Sequence, residues 1–187
     1  MPHPINKIVP NPRILLDTDV LSEKPDIAIV VVRIFALWAS IERRLSVLLV
    51  RLLGADAIPA HAIFSILQTQ ALQTKALEAA AKSILPPEDF DIFNAAMTVV
   101  SAVQKTRNRL AHWAWGRCPE RPDLLLLGDP GFLKERDTRV AAHYQAMDIE
   151  QPVNVLATYA AIQFDPSKFL AYTKADLERE VRDLSEA

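Results

Sequence analysis

At 187 residues, half of them apolar and 24% charged, the chain has the composition of an ordinary globular domain and the length for one well-buried core. A formal net charge of -2 excludes a protein that grips polyanions by its global field, so any nucleic-acid surface has to be local. The single cysteine, Cys118, rules out an intrachain disulfide or a cysteine-built metal site and fits a reducing cytoplasm.

Residues 1–24 read as an irregular lead-in, punctuated by Pro2, Pro4, Pro10 and Pro12. Its polar, proline-rich start does not have the form of a secretory signal. The first helix is expected from Pro25 and Asp26, a proline and an acid where helix starts prefer them. Its apolar stripe of Ile27, Val31, Ile34, Trp38, Ile41, Leu45, Leu48 and Leu52 keeps the helical period until Gly54 ends it. The most apolar stretch, residues 27–41, is broken by Arg33 and is too short to cross a bilayer. A second helix is expected from Pro59 through Ile63, Ile66, Leu67, Leu72, Leu77 and Ile84, stopped by Pro86 and Pro87. A third follows with Glu88 and Asp89 in its first turn, buries Phe90, Phe93, Met97, Val100, Val103 and Leu110, and ends before Gly116.

Three long amphipathic helices on short connections predict an antiparallel bundle over residues 25–116. Residues 117–187 change in texture and are expected to pack on it as a C-terminal extension. Asp123–Pro130 and Val153–Thr158 each fit a short strand, and the two together a β-hairpin, although a short apolar run fits a buried helical segment equally well. A final helix is expected after Thr173 as N-cap, with Leu177, Val181 and Leu184 on one face. The fold class is therefore mainly α.

The chemistry concentrates in Lys105–Trp113. Arg107 and His112 stand five apart late on the third helix, with Asn108 directly after the arginine. A guanidinium holds phosphate by a two-pronged charged contact, and imidazole moves protons near pH 7. Lys105, Arg107, Arg109, Arg117 and Arg121 surround them against one acid in that stretch, Glu120, although a basic helix end also suits the helix dipole. Trp113 and Trp115 are placed to stack on unpaired bases or to anchor the core.

Arg107-Asn108-Arg109-Leu110-Ala111-His112 resembles the signature of the HEPN superfamily, small helical bundles marked by Arg-x4–6-His with a polar residue after the arginine. The resemblance covers residues 25–116. It implies a metal-independent endoribonuclease acting as a homodimer with the motif at the interface, often as a toxin or defence effector held by a cognate antitoxin. Other members with a degraded motif only bind. On this reading Arg107, Asn108 and His112 are catalytic, Lys105, Arg109 and Trp113 contact RNA, and the protein is cytoplasmic, without cofactor, metal or membrane partner.

Helical geometry bears on the same residues. Positions five apart differ by about 140° in direction, so Arg107 and His112 do not share a face, whereas Asn108 and His112, four apart, do. Asn108 is thus placed to orient the imidazole. One helix makes a poor active site on these terms, and two copies about a two-fold axis bring both motifs into one cleft. The expected reaction is attack by the substrate's own 2′-hydroxyl, with His112 moving protons and Arg107 facing the phosphate.

The remaining candidates are weaker. Arg136 and His143 match a looser Arg-x6-His spacing and read as a decoy. Glu42 reads as an exposed ion-pairing residue. His3 and His61 have no second metal ligand at a useful spacing, and the four glycines are too scattered for a phosphate loop. Asp17 and Asp19 are not followed by the spaced carboxylates of a calcium loop. The competing reading of the whole is a noncatalytic helical module that binds a nucleotide, RNA or a protein, or a plain dimerising scaffold.

Overall fold

A computed structural model describes residues 2–67, 69–147 and 155–186. The chain is mainly helical with a small antiparallel sheet, and it parts into two compact units. One unit comprises residues 1–31 and 108–179, the other residues 32–107 and 180–187. These units cut the chain elsewhere than at 24 and 116, where the sequence pattern divides it.

Helix α1 runs Pro25–Leu53 and ends at Gly54, whose φ of 55° is the left-handed conformation that glycine takes without strain. Its buried positions follow the expected stripe, with Val30 buried in addition and Leu49 buried where Leu48 is half-exposed. Within the helical unit, Trp38, Ile41 and Leu45 of α1 are buried, as are Leu77 and Ala81 further on. The expected second helix is in fact two, α2 (Ala57–Ile66) and α3 (Gln70–Ile84). Thr69 is the cause: its hydroxyl accepts the Leu72 amide at 3.3 Å and caps α3, while Gln73 reaches back to the Leu67 carbonyl at 3.0 Å. Helix α4 spans Pro87–His112 and buries Phe93, Met97, Val100, Val103 and Leu110.

The other unit holds the sheet, and here the expectations need correction. The lead-in is not simply irregular: His3–Pro4 is strand β1 and Leu15–Leu16 is strand β2. Strand β3 (Ala114–Arg117) follows α4 directly, then β4 (Leu125–Gly128) and β5 (Phe169–Tyr172), in the order β1-β5-β4-β3-β2 with every pairing antiparallel. The hairpin of residues 123–130 with 153–158 does not form. Leu125–Gly128 is indeed a strand, but it pairs with β3 and β5, while Val155–Ile162 is helix α6. Val153 and Asn154 lie outside the described residues.

Position explains the leucine run. β4 is the central strand and every residue from Leu124 to Gly128 is buried, so neither face alternates with polar side chains. Leu124 and Leu126 join Ile5, Val9, Ile14, Cys118, Phe169 and Ala171 in one core cluster. Gly116 admits β2, because a Cβ there would sit 2.8 Å from the Leu15 carbonyl oxygen.

Helix α5 (Pro130–Gln145) begins at an Asp129 cap with proline in its first turn. The last helix, α7 (Lys174–Glu186), starts as expected: the Thr173 hydroxyl accepts the Asp176 amide at 3.1 Å, and the Asp176 carboxylate accepts back from the Thr173 amide at 3.1 Å. Among the described residues no helix is long and apolar enough to cross a membrane.

Candidate functional site

The motif is carried by one helix, so its internal geometry follows from α4 alone. His112 is the last helical residue and is exposed, and its ring makes no hydrogen bond among the described residues. The tether from Asn108 expected for this imidazole is therefore not formed. Asn108 sits one turn earlier, half-buried, and is engaged elsewhere. Lys105, Asn108, Arg109 and His112 fall within an arc of about 100° on the helix. Arg107 points away from it.

Arg107 is half-buried, with its guanidinium carbon 6.0 Å from the centroid of the Phe35 ring. Arg109 lies over Trp113, its guanidinium carbon 5.4 Å from that ring's centroid. The indole of Trp113 is half-buried. Trp115 serves the fold instead: its Nε1 donates to the Leu110 carbonyl at 3.0 Å and fastens the turn out of α4.

The expected basic surround is smaller in three dimensions than in sequence. Arg117 donates to the Glu23 carboxylate at 2.7 and 2.9 Å and stands 3.3 Å from Asp17. Arg121 forks onto Asp123 at 2.7 and 2.8 Å. The Arg121 side chain holds the Asp123 carboxyl below its usual range. Glu120 takes Arg13, at 2.7 Å from Nε and 3.2 Å from the backbone amide, and this pairing pulls its carboxyl down to about 2. Lys105, Arg109 and His112 have no acidic partner among the described residues.

The other candidates resolve into structural parts. Arg136 donates to the Ile162 carbonyl at 2.8 Å and covers the Phe164 ring at 4.2 Å, while His143 bonds the Thr158 hydroxyl at 2.9 Å, so this pair joins α5 to α6. His61 contacts the Ser46 hydroxyl through Nδ1 at 2.5 Å. Cys118 is fully buried and donates to Glu120, and burial pushes its thiol above the ordinary value, away from reactivity. No cluster of three His, Cys, Asp or Glu suited to a metal is found among the described residues. Comparison with protein-family models, curated proteins and solved structures gave no match.

Proposed function

We propose that this chain is a metal-independent endoribonuclease of the HEPN type, working as a homodimer and serving as a toxin or defence effector in the cytoplasm. The observation that carries the reading is the exposed His112 at the end of α4, on the same face as Lys105 and Arg109, with no carboxylate tying up any of the three. Such a face offers phosphate two cations and offers a ribose hydroxyl a proton acceptor.

His112 takes the proton of the substrate's 2′-hydroxyl, the oxygen so freed attacks the adjacent phosphorus, and the 5′-oxygen leaves with a proton supplied by an imidazole. The products are a 2′,3′-cyclic phosphate and a 5′-hydroxyl. A group placed for such transfer contributes about 10²–10⁴-fold. Arg109 and Lys105 hold the backbone. Arg107 approaches the phosphate from the flank, and the second copy supplies the matching set.

A second reading has its own observation. Arg107 is half-buried with its guanidinium over the Phe35 ring, as a structural arginine often is. On that reading the helix end binds RNA or a nucleotide without cutting it.

The deciding experiment compares wild type with His112→Ala and Arg107→Ala, first by growth on induction and then on RNA in EDTA. The ribonuclease reading expects growth arrest by wild type and relief by His112→Ala. It also expects cleavage in EDTA that leaves cyclic phosphate ends and falls by a factor of about 10² or more in His112→Ala. Cleavage at an unchanged rate in that variant sinks it. RNA binding without cleavage in all three proteins selects the binding module.

A further inference from the structure

Helices α3 and α4 leave a groove between them that lies wholly within the helical unit. Its volume of about 530 Å³ is in the range of sites that take small ligands. Phe93 and Met97, both buried, give it an apolar floor. Its walls are polar: Thr74 and Glu78 line it from α3, and Asn94, Ser101 and Lys105 line it from α4. The side chains of these five make no hydrogen bond or ion pair among the described residues. Thr98, by contrast, is turned back onto the Asn94 carbonyl at 2.9 Å. The groove therefore offers a ligand donors, acceptors and an apolar surface at once.

Helical geometry joins the groove to the motif. On α4, Asn94, Thr98, Ser101, Lys105, Arg109 and His112 fall within an arc of about 80°. One polar stripe thus runs from the groove to the exposed imidazole, and Lys105 belongs to both. A strand of RNA held at His112 and followed along the stripe by Arg109 and Lys105 enters the groove. Ser101 stands about 16 Å along the helix from His112, so the base met there lies a few nucleotides from the cut.

Glu78 decides which base. A carboxylate beside a phosphate backbone repels it, whereas one that accepts from a base edge is paired. An ionised carboxylate only accepts, through two oxygens side by side. Single-stranded RNA exposes the Watson–Crick edges of its bases. On that edge guanine alone presents two adjacent donors, N1–H and the N2 amino group. Adenine, cytosine and uracil each set a single donor beside acceptors, and an acceptor facing a carboxylate is repelled.

We infer that the groove between α3 and α4 is a guanine-reading subsite, with Glu78 accepting from N1–H and N2–H and the base seated on Phe93 and Met97. The inference rests on the reading of the α4 end as an RNA site and deepens it by naming a base.

Nitrogen-15 NMR titration of the full chain with GMP, AMP, CMP and UMP in EDTA tests it, since weak binding is still located by the amides that shift. GMP is expected to move amides of residues 74–78 and 94–105, and to bind about 10-fold or more tightly than the other three. Glu78→Gln keeps the shape of an exposed side chain but puts a donor where an acceptor stood, and is expected to bind all four about equally. Sequencing of cut RNA is expected to show guanine enriched at one fixed distance from the cuts of wild type, and no such enrichment with Glu78→Gln. Equal affinity for the four nucleotides, shifts outside the groove, or a guanine preference kept by Glu78→Gln each overturns the inference. Cleavage that needs His112 but shows no guanine preference sinks this inference alone. Guanine-selective binding in the groove of a chain that cuts no RNA supports the subsite and sinks the ribonuclease reading alone.

Discussion

Glu120 shows how a single side chain can contribute pH-dependent stability. It accepts from the Arg13 side chain and backbone and from Cys118, contacts made to its charged form. Its folded pKa of about 2 lies below the ordinary 4.5. A depressed carboxyl contributes its stabilisation in full above the ordinary value and loses it as pH falls toward the folded one. The difference in urea midpoint between wild type and Glu120→Gln should accordingly be flat above pH 4.5 and close as pH approaches 2. A difference that persists unchanged at pH 2 would show that the carboxylate is not its source. Among the cations, Arg13, Arg117 and Arg121 each face a carboxylate, whereas Lys105 and Arg109 have no ion pair among the described residues.

Among the elements, α5 depends most on its ends, because none of its residues is fully buried. Asp129 accepts from the amides of Gly131 at 2.7 Å and Phe132 at 3.2 Å, meeting two of the donors that a helix start leaves open. Asp129→Ala should cost about 1 kcal/mol in urea unfolding and speed amide exchange in the first turn, while Asp129→Ser should recover most of the loss. Equal exchange in all three proteins would mean that another contact holds this turn. The caps also explain what the sequence makes legible. Pro25 with Gly54, the Pro86-Pro87 break and Thr173 are punctuation visible without partners, and α1, α4 and α7 start or stop where they indicate. Thr69 resembles any other polar residue in a glutamine-rich run until the chain turns there, so α2 and α3 read as one helix. Strands β1 and β2 have two residues each, too few to show a period. The motif is legible because its spacing is local to one helix. The acids that neutralise Arg117 are not, since Glu23 lies 94 residues away in sequence.

For the molecule as a whole, the sheet unit is closed by its own first residues. β1 pairs with β5, β2 pairs with β3, and Ile5, Val9 and Ile14 between them enter the core that Leu126 and Phe169 complete. Fully burying an aliphatic side chain is worth about 1.5–3 kcal/mol, so removing residues 1–16 should cost on the order of 5 kcal/mol or more. That is comparable with the entire stability of many domains. The truncated chain should lose the near-ultraviolet signal of Trp115 and its cooperative urea transition. A sharp transition at an unchanged midpoint would show that these strands are ornamental.

The pairing of Pro4 with Leu170 spans roughly 165 residues of intervening chain, a separation that favours late and slow closure. During synthesis the nascent chain can wind α1 and α4 from contacts near in sequence, but β5 has to leave the ribosome before the sheet can take its first strand. Strand β3, which follows His112, pairs with β2 and β4 and so has both neighbours once residue 128 is made. On the ribonuclease reading, the strand that follows the motif would thus have its sheet partners well before the opposite edge closes at residue 172.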